Sequence, residues 1–226
     1  MALLHKSSLG VTIDALNDAL FFRRRTSATD RLSAARWIAS RQGLPGSYSN
    51  MFAPTERDFT DGITFFTGET IKTGAGTSHI LGEEACRALK LLAPRDAVAR
   101  RAFDAAVAGI SDRLAPSDVS RSGRYCCFKC TVALWRNLAS GALPDFTRAL
   151  APGMKLLRSA RADNGRWHGF PFYYTLLALL EIDTPAARAE LRHAAPACRR
   201  ALKSVKGNGK YAIRRRALAE RALDKV

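Results

Sequence analysis

Asp163-Asn164-Gly165-Arg166-Trp167 lies between two helix-like stretches, and its Gly–basic–aromatic core recurs along the chain. Gly123-Arg124-Tyr125 stands 42 residues before it, Gly209-Lys210-Tyr211 stands 44 residues after it, and Gly46-Ser47-Tyr48 is a fourth, looser copy. Self-similarity at such a period marks a repeat architecture, in which each unit buries its apolar face against its neighbours.

Upstream of the central copy, Phe146, Leu150, Met154, Leu157 and Ala160 recur at intervals of three and four, the pattern of one apolar helix face. Asp145 after Pro144 supplies a cap for that helix, and Asn164-Gly165 supplies left-handed residues to end it. The same signals predict helices over residues 28–41, 95–113 after Pro94, and 186–203 after Thr184-Pro185. Downstream, Phe172-Tyr173-Tyr174-Thr175-Leu176-Leu177-Ala178-Leu179-Leu180 is apolar all round. Alone it also reads as a buried strand. Its place in the repeat, matched by the runs at 130–138 and 80–92, makes it a buried helix.

The fold class is therefore all-α: αα-hairpin repeats of a polar-faced outer helix, a Gly–basic–aromatic turn and an apolar inner helix. Residues 9–22 read as a lone inner helix, so about four and a half hairpins make one repeat domain over residues 1–226. An irregular insertion at 49–78 interrupts it, carrying Asp58, Asp61, Glu69 and the run Thr73-Gly74-Ala75-Gly76-Thr77-Ser78. Long insertions of this kind are often lids or binding loops.

Bulk properties narrow the classes of function. With 47% hydrophobic and 25% charged residues the chain belongs with globular rather than disordered proteins. No apolar run approaches the roughly 20 residues of a membrane span, and residues 1–6 carry no signal-peptide pattern, so a cytoplasmic location is expected. Five cysteines, three of them at Cys126, Cys127 and Cys130, do not form a secreted disulfide framework, and reduced thiols are expected. The net charge of +16 is skewed: from residue 186 onward twelve Lys and Arg face only Glu190, Glu220 and Asp224. Such a skew draws nucleic acid, anionic lipid or phosphorylated small molecules, unless it is only solvated helix surface.

Arg36-Trp37-Ile38-Ala39-Ser40-Arg41-Gln42 followed by Gly46-Ser47-Tyr48 resembles the repeat of the α/α-toroid proteins, the terpenoid cyclases of squalene–hopene type and the β-subunits of protein prenyltransferases. Leu156-Leu157-Arg158-Ser159 with Asp163-Asn164-Gly165-Arg166-Trp167 is similar in a later copy, and the resemblance spans residues 28–215. It implies a partial or small α/α toroid: a closed toroid needs about six hairpins, so the chain is an open arc, a subunit completed by a second copy or a partner subunit, or a shrunken relative with another role. It also implies a central cavity for a hydrophobic or sugar-like small molecule. The Asp-x-Asp-Asp acid of the cyclases has no counterpart here, so polyene protonation is not expected.

In a toroid the inner helices turn the same end toward the cavity, which would gather His79 and Glu83, Cys127 and Cys130, His168, Phe172, Tyr173 and Arg214. Should the chain be an enzyme, His79, Glu83, Glu69 and His168 are its candidate acids and bases, each with a structural alternative as a capping or hydrogen-bonded residue. Cys127-x-x-Cys130 with His168 is a candidate zinc set, against the alternative of thiols that simply pack. The Gly-rich run 73–78 either cradles an anion with its backbone N–H groups or leads flexibly into a helix capped by Ser78. In a different class of function, Arg214, Arg215 and Arg216 would make the C-terminal hairpin a binding module for nucleic acid or an acidic protein.

Overall fold

A computed structural model of the chain describes residues 2–93 and 95–226; the helix-start cue at Pro94 lies outside the described residues. These residues are mostly helical, with eleven α-helices, one short 3-10 helix and two two-residue strands among them, in keeping with an all-α class. No helix among them is long and apolar enough to cross a membrane. The chain forms two compact units, the first from Met1–Phe65, Thr70–Ser117 and Ser140–Pro144, the second from Phe66–Glu69, Asp118–Ala139 and Asp145–Val226.

In the first unit, α1 (Leu9–Phe21) packs on α4 (Gly74–Leu92), and α2 (Ala28–Ala39) packs on both α4 and α5 (Ala97–Leu114). A buried polar link joins α1 to α4: Asn17 Nδ2 donates to Glu84 at 3.3 Å while Arg87 donates to Asn17 Oδ1 at 2.8 Å. The insertion folds locally. Its α3 (Glu56–Asp61) opens with a capping box of Thr55 and Asp58, and β1 (Ile63–Thr64) pairs antiparallel with β2 (Thr70–Ile71). The Asp58 carboxylate also accepts from Ser8 Oγ at 2.5 Å and from the N–H groups of Leu9 and Gly10, so one side chain ties the starts of two helices. The Gly-rich run is the first turn of α4. Thr73, not Ser78, is the cap, its hydroxyl accepting from Gly76 N–H, because a threonine just ahead of the run satisfies the orphan amides one turn earlier.

In the second unit, α9 (Phe172–Ile182) packs between α7 (Phe128–Ala139) and α11 (Lys210–Asp224). The 20-residue α10 (Pro185–Ser204) packs on α8 (Leu150–Ser159), α9 and α11, and α6 (Val119–Ser122) packs on α8. Residues 144–149 form the 3-10 turn, and α8 starts only at Leu150, without a side-chain cap. Pro152, which lacks an N–H, removes the bond that would tie the α-helix back to Arg148, so Asp145 does not cap it. Gly123 and Gly165 take the left-handed conformation expected of their turns, with φ of +66° and +75°, whereas Gly209 has φ of −65° and leads into α11, leaving that turn to Gly207. Close approach makes Gly123 necessary as well. A Cβ there would sit 2.0 Å from the Gly153 nitrogen, and its carbonyl accepts Trp135 Nε1–H at 2.8 Å. Deep in this core the Arg136 guanidinium, 1% exposed, makes a two-point ion pair with Glu181 and lies over the Tyr174 ring.

Candidate functional site

His79 lies on α4 near its start, 3% exposed, its ring stacked on Tyr48 at 4.1 Å. Arg113 of α5 donates to the Tyr48 hydroxyl at 3.3 Å. Burial, reinforced by the Arg113 charge, lowers the His79 pKa from the ordinary 6.5 to about 4, so its imidazole is neutral at physiological pH. Glu83, fully buried, follows one turn later on α4, and together with burial its charge raises the Cys86 thiol pKa well above the ordinary value. The first unit thus holds the aromatic of the loosest turn copy stacked on a neutral imidazole.

In the second unit, residues 66–69 lie against α9 and α11. Glu69 Oε1 accepts the Tyr174 N–H at 3.2 Å, and its other oxygen accepts the Thr67 hydroxyl. Since Pro171 gives α9 no side-chain cap, Glu69 supplies that cap from 105 residues away in sequence. Arg214 is buried over the Phe66 ring and donates to the Phe66 carbonyl, Arg215 donates to the Thr67 carbonyl and stacks on Tyr173, and Arg216 donates to the carbonyls of Val205 and Gly207. Main-chain carbonyls thus hold all three guanidiniums in place. Burial raises the Tyr173 pKa against the opposing pull of Arg215 and Arg166. Glu69, Tyr173 and Arg215 are therefore brought together.

Cys127 is exposed immediately before α7, and Cys130 is buried in its first turn, with the two sulfurs 3.5 Å apart. Burial pushes the Cys127 thiol up, but N–H bonds from Cys130 and Lys129 and the Cys130 thiol outweigh it, so the net shift is downward. Cys130 is pushed up by burial and by Cys127. His168 is exposed beyond the Gly165 turn, its main-chain N–H donating to the Ala160 carbonyl. The two thiols provide half of a tetrahedral zinc shell.

Glu190 was not singled out by sequence reasoning. It is 1% exposed on α10 and accepts from Trp167 Nε1 at 3.1 Å and from two nitrogens of Arg161. A signal existed: with Ala187, Leu191 and Ala194 it falls on the apolar stripe of α10.

The opposite face of α10 is basic. Arg188, Arg192, Arg199 and Lys203 are exposed at intervals that keep them, with Pro196, on one stripe about 22 Å long. Arg188 pairs with Asp183, while Arg192, Arg199 and Lys203 have no ion pair or hydrogen bond among the described residues. Lys155 and Arg158 are exposed on the adjoining α8. Counted by unit, the second has 21 Lys and Arg against 9 Asp and Glu, a surplus of 12 out of the chain's 16. The field of the whole chain therefore originates mainly in this unit.

No protein-family model, curated protein or solved structure matches this chain.

Proposed function

We propose that this protein binds nucleic acid through the phosphate backbone, with the exposed face of α10 as the contact surface. The observation that carries this reading is the stripe of Arg192, Arg199 and Lys203, three exposed cations on one helix face with no carboxylate partner among the described residues. Cations that neutralise phosphates release condensed counterions, which gives affinity without sequence preference. Base stacking is not part of the reading, because Trp167 is buried and Tyr211 is flanked by Lys210 and Arg214. The buried Arg214, with Arg215 and Arg216, adds to the field rather than to the contact.

The test is fluorescence anisotropy with labelled duplex and single-stranded oligonucleotides across a salt series. Binding at low salt that weakens steeply with salt, and weakens further in the triple variant Arg192→Ala, Arg199→Ala, Lys203→Ala, supports the proposal. Absence of binding at low salt, or a triple variant indistinguishable from the parent, overturns it.

A second reading retains the toroid resemblance and a small-molecule ligand. The fold we infer is a row of αα hairpins, supported in the second unit by two series of neighbours, α7–α9–α11 and α6–α8–α10. A groove of about 560 Å³ in the first unit, lined by Leu32, Leu92, Arg31, Arg36 and Asp96 among others, has a volume typical of ligand sites. A thermal-shift screen of sugars and isoprenoid alcohols tests it, and no stabilisation by either class removes it.

A further inference from the structure

We infer that Cys127 and Cys130 are a redox-active dithiol that exchanges with small aliphatic disulfides. This is a separate property of the second unit and does not depend on nucleic-acid binding. The sulfurs are 3.5 Å apart, against about 2.05 Å in a disulfide, so side-chain rotation with a small local shift closes the bond. The two positions differ in the way that exchange requires. Cys127 is exposed ahead of the first turn of the 12-residue α7, open to a disulfide reagent and with the Cys130 sulfur within reach. Cys130 is buried behind it, reachable by Cys127 but not by a bulky reagent.

The chemistry balances with the disulfide as oxidant. The Cys127 thiolate attacks one sulfur of R–S–S–R, forming a mixed disulfide and expelling one thiolate, RS⁻. Cys130 then loses its proton to solvent and attacks the Cys127 sulfur, expelling the second RS⁻. Taking up protons, these leave as two RSH; the dithiol has lost two protons and two electrons, and R–S–S–R has gained them. A third thiol stands nearby: exposed Cys126 has its sulfur within 4.8 Å of Cys130, so it is the natural competitor for the same bond.

The experiment equilibrates the full chain in reduced and oxidised glutathione, then quenches with acid and maps thiols by mass spectrometry. The expected result is a fall from five free thiols to three, with the new bridge mapped to Cys127 and Cys130. Cys130→Ser should instead accumulate a glutathione adduct on Cys127, and Cys127→Ser should form neither adduct nor bridge at Cys130. Circular dichroism of both variants establishes that they are folded. Retention of five thiols in oxidising buffer, a bridge mapped to Cys126, or an adduct that persists on Cys127 in the parent chain overturns the inference. Should a variant fail to fold, the mapped bridge in the parent chain decides.

Discussion

Glu69 accepts the main-chain N–H of Tyr174 at 3.2 Å across 105 residues of sequence, and so caps a helix to which its own segment does not belong in the chain. Glu69→Ala removes that acceptor and the partner of the Thr67 hydroxyl. A loss of about 1 kcal/mol is expected, the usual cost of a lost N-cap. Glu69→Gln, which keeps a carbonyl oxygen, should lose less. Urea denaturation measures both, and amide exchange at Tyr174 should quicken in Glu69→Ala before that of the rest of α9.

The Arg136–Glu181 pair should respond asymmetrically to removal of either partner. Arg136 is 1% exposed and Glu181 is 22% exposed. Glu181→Ala takes the two-point carboxylate partner away from a buried guanidinium, which costs roughly 3 kcal/mol. Arg136→Met fills the same space with an apolar chain and leaves Glu181 able to reach water, so it should cost less than half as much. Equal losses in denaturant melts would contradict the assignment of the cost to the buried cation.

Local pattern decides which parts of this molecule sequence alone reveals. Gly165-Arg166-Trp167 and the apolar run after it signal a turn and a buried helix because both depend on neighbours a few residues away, and α9 follows as Phe172–Ile182. Thr73 displaces Ser78 as the cap of α4 because two hydroxyl residues flank the same glycines and local pattern does not rank them. The bond from Glu69 to Tyr174, the carbonyl contacts of Arg214 to Arg216, and the role of Asp58 all join segments far apart in sequence, where periodicity carries no information. The cysteine pair was legible as spacing. Its asymmetry, one thiol outside and one inside, depends on where α7 starts.

Acid should weaken the first unit through His79. Its folded-state pKa lies near 4, below the ordinary 6.5, so the folded state favours the neutral ring and the unfolded chain binds the proton more readily. Stability from this group is complete above about pH 6.5, falls as pH drops toward 4, and is lost below that, a change on the order of 3 kcal/mol. His79→Phe keeps a ring to stack on Tyr48 but cannot titrate. The difference in stability between parent and variant, followed by denaturant melts from pH 7.5 to 4, should therefore change in that window. A pH-independent difference would place the imidazole's protonation outside it.

The salt dependence of nucleic-acid binding separates the two basic clusters. Each cation that contacts a duplex phosphate contributes about 0.9 to the slope of log K against log salt. Arg192, Arg199 and Lys203, exposed and unbridged, should each lower the slope by about 1 when changed to Ala, by similar amounts on unrelated sequences. Arg216→Ala, which removes a guanidinium bonded to the carbonyls of Val205 and Gly207, should weaken binding through the field with little change in slope. Were Arg216 to change the slope and the three α10 residues not, the contact surface would be the C-terminal helix instead.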